Sequence, residues 1–445
     1  MLSVPVRREV AATLRLAAPL VGAQLAQMSM SFVDVVMVGR LGTSALAAAV
    51  LGSTAFFTLS LICVGVILAV NPTVAQAVGA GDDDLAARAT RQGLWLSVIL
   101  GVPLFVALGW SEEGLLALGQ DPDTAALAAA YLRAIRWGIV PNLMFSAFRG
   151  FYEGTGRARP VLLATIVGVA VNVVANNALM YGKWGLPALG LEGTGWSSAL
   201  VFTAMAASLA IGIRVSPALR RFGVLTGLRS PDPVMLGTLV KLGAPIGVTF
   251  GLEAGLFSAA TLLVGWLGET PLAAHQIALN AASFTFMVPL GIGMAATVRV
   301  GQLAGAGNDA GARRAGFVAI ALGGAFMACA ATFLWLRPDW VVFLYAGAAP
   351  EAELAALATA LLGIAAVFQL VDGIQATAAG ALRGLKDTTV PAIIGAVAYW
   401  GVGLGVGAGL AFGLDWGARG LWWGLTAGLA AAAVLLVGRF QRLVR

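Results

Sequence analysis

Charge is scarce in this sequence. Of its 445 residues, 11% are Asp, Glu, Lys or Arg, against about 25% in an ordinary soluble domain, and a water-facing surface cannot be built from so few ions. Histidine is scarcer still: His275 is the only one, so no H-E-x-x-H metal site or histidine-based catalytic set can be assembled, which argues against an intramembrane enzyme. Its expected role is a local hydrogen bond at a loop edge. The two cysteines, Cys63 and Cys329, sit in apolar runs and are too few for a disulfide framework or a cysteine metal centre. They are expected to be packing residues. Ten-residue stretches of alternating polarity are also missing, which excludes a membrane β-barrel. No small-residue cleavage pattern follows the first apolar run, so that run is expected to be a spanning helix rather than a removable signal.

Apolar residues make up 59% of the chain, with a mean hydropathy of +0.90. This is the composition of an all-α integral membrane protein. Runs of about 20 residues, the length that crosses a hydrocarbon core, predict twelve helices near 12–38, 46–72, 89–110, 127–150, 159–181, 193–213, 237–266, 272–298, 312–336, 354–380, 388–413 and 416–438. The net charge of +6 invites a nucleic-acid reading, but loop position explains it better. Of the 27 Lys and Arg, only Arg40, Arg133, Arg136, Lys183, Arg337 and Arg419 fall on one side. The others, Arg149, Arg229, Arg383 and Arg445 among them, fall on the other. The excess of positive charge marks the cytoplasmic side, places both termini there and leaves no call for a nucleic-acid partner.

The chain repeats itself at a shift of 226 residues. "LAAP" (16–19) falls on "LGAP" (242–245), "VGRLG" (38–42) on "VGWLG" (264–268), "LAA" (46–48) on "LAA" (272–274), and "QAVGAGD" (76–82) on "QLAGAGN" (302–308). After an insertion, "GFYEGTG" (150–156) corresponds to "GALRGLK" (380–386). Two six-helix lobes are therefore expected, 1–213 and 237–445, joined by a polar, basic cytoplasmic linker, 214–236. Six spans return the chain to its starting side, so the repeats run parallel, an arrangement known from transporters that bind substrate near the midplane and rock around it.

Three carboxylates stand well inside predicted spans: Asp34 on the first, Glu253 on the seventh and Asp372 on the tenth. An aspartate at the membrane centre costs about 2.5 kcal/mol or more, so each needs a partner or a wet cavity. With no equally deep Lys or Arg in view, a cation site is the expected use. Helical spacing sets Gln27, Ser31 and Asp34 on one face, Gln369, Asp372 and Gln375 on another, and Asn172 with Asn176 on a third. The Asn pair can ligate a cation or hold a carboxylate's proton, although such a pair alone more often joins helices.

Several stretches together resemble the multidrug and toxic compound extrusion (MATE) family, in particular its bacterial NorM branch: "APLVGAQLAQMSMSFVDVVMVGRLG", "YEGTGRARPVLL", "NVVANNALMYGKWGLPALGLEGTGWSSAL", "LAAHQIALN", "VRVGQLAGAG" and "GALRGLKDTTVPAII". The resemblance implies that Asp34, Glu253 and Asp372 are coupling and substrate-binding carboxylates. It also implies that Asn172, Asn176, Ser198 and Gln276 take part in cation coupling. Where relatives of this branch often carry Tyr, this chain has Phe368, which weakens a sodium site at Glu253 and Asp372. The implied activity is antiport of amphipathic organic cations, such as dyes and fluoroquinolone-like drugs, against H⁺ or Na⁺, with no other cofactor. A monomer in the bacterial inner membrane is the implied setting. Gln27, Met28, Met30, Phe250, Phe257, Met287, Phe368 and Gln369 are expected to line the substrate path, with ordinary packing as the alternative for each apolar one. A lipid-linked precursor flippase of the same superfamily and a channel are the rival functions.

Overall fold

Inside a bilayer each backbone N–H and C=O must be satisfied within its own segment, so long apolar runs become helices. The computed structural model describes residues 4–228, 230–347 and 350–444. Arg229 and Arg445 lie outside the described residues, as do residues 1–3 of the expected first lobe and residues 348 and 349 of the second. Among the described residues all regular structure is helical. The long segments are α1 (Val4–Gly39), α2 (Thr43–Gly79), α3 (Asp83–Ala107), α4 (Pro122–Ile135 and Ile139–Gly154), α5 (Arg159–Met180) and α6 (Leu191–Val215). The second six are α7 (Pro233–Gly265), α8 (Glu269–Gly305), α9 (Asp309–Leu336), α10 (Ala352–Gly384), α11 (Thr389–Gly413) and α12 (Gly417–Leu443).

Each expected span falls on one of these helices. Eleven are long and apolar enough to cross a membrane. The remaining one, α4, is two pieces of 14 and 16 residues joined by a 3-10 turn at Arg136–Gly138, so neither piece alone reaches spanning length. Many large apolar side chains face outward, Phe57, Leu262 and Val434 among them. Lipid is the solvent that tolerates such a surface. Cys63 packs against the apolar core as expected, but Cys329 is exposed on α9, where no neighbour covers that face.

The sequence repeat is also a repeat of turns. Gly42 (φ 110°) and Gly268 (φ 117°) occupy positive φ just before α2 and α8, a conformation that L side chains rarely adopt. Asp82 Oδ1 accepts from Leu85 N at 2.8 Å to cap α3, and Asn308 Oδ1 accepts from Gly311 N at 2.8 Å to cap α9. The same four-residue signal thus starts the same helix in each half.

The chain divides into two compact units: residues 22–247, and residues 1–21 with 248–445. Contacts therefore do not divide at the linker, where the lobe limits of 213 and 237 were expected. They divide inside α1 and α7, two residues beyond Pro19 and Pro245. These prolines are repeat equivalents, and each removes a helix N–H and crowds the preceding turn. The linker is docked rather than loose. Arg91 Nη1 donates to the carbonyls of Gly223 (3.1 Å) and Thr226 (2.9 Å), and Trp95 Nε1 to that of Leu228 (2.9 Å). Asp232 accepts from Arg88 Nη2 at 2.7 Å and from Met235 N at 3.1 Å. These bonds hold its carboxyl below the ordinary aspartate value.

Close helix contact in the second half depends on glycines spaced by four. A Cβ built on Gly424 of α12 would lie 2.1 Å from Gly407 Cα and 2.6 Å from the Gly403 carbonyl oxygen of α11. Backbone cannot yield as a side chain can. Gly424→Val is therefore expected to force the helices apart and cost at least about 1–3 kcal/mol of overpacking, seen as earlier thermal loss of the monodisperse detergent-solubilised protein. An unchanged melting profile would mean that the contact is soft.

Candidate cation sites

The first site lies wholly within the unit of residues 22–247. Asn172 and Asn176, one turn apart on α5, turn the same way; their Nδ2 atoms donate to Asp34 Oδ1 on α1 at 2.9 Å and 2.7 Å. The predicted Asn pair and carboxylate are thus brought together. Both Asn Oδ1 atoms are buried without a partner, so two acceptor oxygens stand beside the carboxylate. Tyr181 of the α5 end donates to the Met37 carbonyl at 2.7 Å and ties α5 to α1 close by. Ser198 of α6 and Tyr131 of α4 are both buried in this unit. Tyr131 was not foreseen; in "AALAAAYLRAI" it is a lone aromatic in an alanine-rich run. The stripe drawn through Gln27 and Ser31 does not join in: Gln27 is half-buried, Ser31 is exposed, and neither bonds to Asp34. Met28 and Met30 are half-buried, Met30 against the core of this unit.

The second site lies within the other unit. Gln369, Asp372 and Gln375 of α10 are 0%, 4% and 3% exposed. Gln369 Oε1 accepts from the Thr285 hydroxyl of α8, and Gln375 Nε2 donates to the Tyr399 oxygen of α11. Asp372 Oδ1, Gln369 Nε2 and Gln375 Oε1 remain without partners. An orphaned buried donor or acceptor costs roughly 1–3 kcal/mol, so one donor and two acceptors left open along one helix mark a place that takes a guest or water. Glu253 of α7 is half-buried, and its charge interacts with that of Asp372. Among the described residues no cluster of three or more His, Cys, Asp or Glu could hold a metal ion.

Several expectations need correction. Arg383, assigned above to the cytoplasmic rim, is half-buried in the last turn of α10 and turns toward Phe250 of α7. Its guanidinium sits 5.7 Å from the centre of the Phe250 ring. Phe368 is 1% exposed and packs edge-on to Trp422 and Phe257, so it is a core residue of this unit, while Phe257 is half-buried against that core. A phenol is present two turns further along, where Tyr399 meets Gln375. His275 lies inside α8, fully buried, not at a loop edge; its Nδ1 accepts from Trp422 Nε1 at 3.1 Å and its Nε2 meets the Thr261 hydroxyl at 3.0 Å. Gln276 beside it is half-buried and makes no bond to this cluster; Met287 is half-buried on α8.

A second buried charge network escaped the sequence reading. Arg149, placed above with the cytoplasmic-side loops and ends, donates through Nε to Glu153 Oε1 at 2.6 Å and through Nη2 to Gln24 Oε1 at 2.9 Å. Asn71 Nδ2 donates to Glu153 Oε2 at 2.6 Å, and Glu153 is 0% exposed. The Arg149–Glu153 spacing of four was the available signal.

The MatE family profile matches residues 19–177 and 245–408, one stretch in each repeat. The "Multidrug resistance protein NorM" of Burkholderia vietnamiensis is 44% identical over 432 residues, covering 96% of this chain and 93% of that protein. The "Probable multidrug resistance protein NorM" of Rhizobium meliloti (strain 1021) is 44% identical over 437 residues, covering 98% and 93%. This chain belongs to the MATE family.

Its place is in the NorM branch. Solved MATE structures share the fold: the eukaryotic transporter AtDTX14 matches with a TM-score of 0.87 at 21% identity over 99% of both chains. An outward-facing MATE multidrug resistance transporter of the MOP superfamily matches at 0.88 and 21% identity, over 98% of this chain and 96% of that one. With the family profile and the NorM relatives, the chain is a multi-pass membrane transport protein, not an enzyme.

Proposed function

We propose that this MATE protein is a secondary active multidrug exporter that antiports amphipathic organic cations against H⁺, Na⁺ or both as its two lobes rock. The observation that carries the reading is the buried, unpartnered Asp372 oxygen flanked by two unpartnered amide atoms. With the cavity open outward, the coupling ion neutralises a carboxylate and weakens its hold on a cationic drug. With the cavity open inward, the ion leaves and the recharged carboxylate takes a new cation. Phe250 offers an aromatic wall. Two carboxyls at Glu253 and Asp372 leave a Na⁺ ion to complete its shell with neutral oxygens such as Gln375 Oε1.

The protein works as a monomer in the bacterial inner membrane with both termini cytoplasmic. A lipid-linked precursor would call for several guanidinium or ammonium groups around its phosphates, whereas this site offers carboxyl, amide and phenol groups with the single guanidinium of Arg383. The test is export of a fluorescent organic cation from proteoliposomes under a proton gradient alone and a Na⁺ gradient alone. At least one gradient should drive accumulation against the drug's own gradient. Drug flux that only runs downhill under both would replace the antiporter with a channel.

A further inference from the structure

In the repeat register Arg383 occupies the place of Glu153, Phe250 that of Gln24 and Thr297 that of Asn71. In the first half this place is electrically closed, with Glu153 paired to Arg149 and Asn71. The second half keeps the site and changes its charge. Arg383 donates through Nε to the Ala379 carbonyl at 3.3 Å, where Arg149 would stand, and lies over Phe250. Among the described residues no carboxylate is within ion-pair distance of it, since the ion pairs of this unit are Arg299–Glu9, Arg337–Asp339 and Arg439–Asp387. Phe250 precedes Glu253 by three residues on α7, so the ring and the carboxylate share a face, and Arg383 lies three turns beyond Asp372 on one face of α10. The charged and titratable groups of this region are Glu253, one turn from the Phe250 ring under Arg383, and Asp372, one turn from Gln375, which bonds to Tyr399.

We propose that Arg383 is a fixed internal cation that sets the charge the site exchanges at one. With both carboxyls ionised the site carries two negative charges, and Arg383 cancels one of them. One proton, one Na⁺ or one monocationic drug then restores neutrality in a medium where a residual charge is expensive. Without Arg383 the same pair of acids demands two positive charges and favours a dication. Arg383 is thus a specificity-determining residue that needs no contact with the drug.

The proposal rests on Glu253 and Asp372 forming the cation site, and the experiment separates the two. Binding of tetraphenylphosphonium, a monocation, and of an alkane-linked bis(triphenylphosphonium), a dication, is measured on purified protein in alkaline buffer. The readout is the ratio of the two affinities relative to wild type. Arg383→Gln should move this ratio toward the dication by about tenfold, and Arg383→Lys, which keeps the charge, should leave it in place. Glu253→Gln leaves one acid against Arg383 and should lose monocation binding. Glu253→Gln with Arg383→Gln, which leaves Asp372 alone and restores a single negative charge, should recover it. That double variant also serves if Arg383→Gln does not fold. An unmoved ratio or an absent rescue, with Asp372→Asn still weakening both probes, overturns the role of Arg383 alone. If Asp372→Asn weakens neither probe, the cation site itself is wrong and the role of Arg383 falls with it.

Discussion

Asp372→Asn is expected to abolish drug resistance in a susceptible host while leaving the protein in the membrane at its normal level. The carboxyl is 4% exposed and one of its oxygens has no partner, so the side chain is not held there as glue between helices. The amide has the same size and can replace a hydrogen bond, but it cannot carry a charge, and charge is what binds a cation and then releases it. A helix-joining residue would behave in the opposite way: the amide would preserve function, because Asn joins membrane helices about as well as a protonated acid. Resistance assays with expression followed on blots make the comparison, and Glu253→Gln should fall with Asp372→Asn. Wild-type resistance in both amides would remove this site from the transport cycle.

The fold was legible because its determinants are local and repeated. Run length fixed the spans, as at α9, where 312–336 was expected and Asp309–Leu336 is found. The Asp82 and Asn308 caps, with a glycine of positive φ just before each, appear in the sequence as "GAGD" and "GAGN". What run length could not show is where a helix changes company. Nothing in the apolar pattern marks residue 22 or 248 as a boundary; the repeated proline a turn earlier does, once the contacts are known. Nor does the apolar pattern separate α-helix from the wider π turns at Asn176–Met180, Ala396–Leu404 and Gly409–Gly413, since both are apolar helical runs.

At the sites, spacing succeeded within a helix and failed between helices. Asn172 and Asn176 were readable as a pair because four residues make one turn, and Asp372 because a lone acid in an apolar run is conspicuous. The partners of Arg383 and Arg149 were missed for a single reason: both lie near helix ends, where counting charges by side treats every arginine as a loop residue. The long arginine stem lets such a group reach inward from a helix end, so a cation can belong to the site while its Cα sits in the last turn. Tyr131 and Tyr399 carried no signal, since a phenol in an apolar run looks like packing until its neighbours are placed.

Asp34→Asn should reduce export driven by a proton gradient to near background while drug binding survives. In the structure, two amide N–H groups converge on one oxygen of Asp34. The ion pairs of its unit lie elsewhere: Arg88–Asp232, Arg133–Glu112, Arg149–Glu153 and Arg221–Asp83. Bonded to neutral amides rather than to a fixed cation, the carboxyl can exchange its charge with an arriving cation. Asn at this position is permanently neutral, and its own N–H groups would face those of Asn172 and Asn176 unless it turned its oxygen toward them. The first half would then remain in its discharged state at every stage of the cycle. Asp34→Glu keeps the charge but moves it by one methylene from the two donors, and should transport partially with a displaced pH profile. Efflux from inverted vesicles across a pH series, normalised to expression, distinguishes the outcomes. Export by the Asn variant at the wild-type rate at every pH would make Asp34 a joint between α1 and α5, with the two amide bonds as its whole purpose.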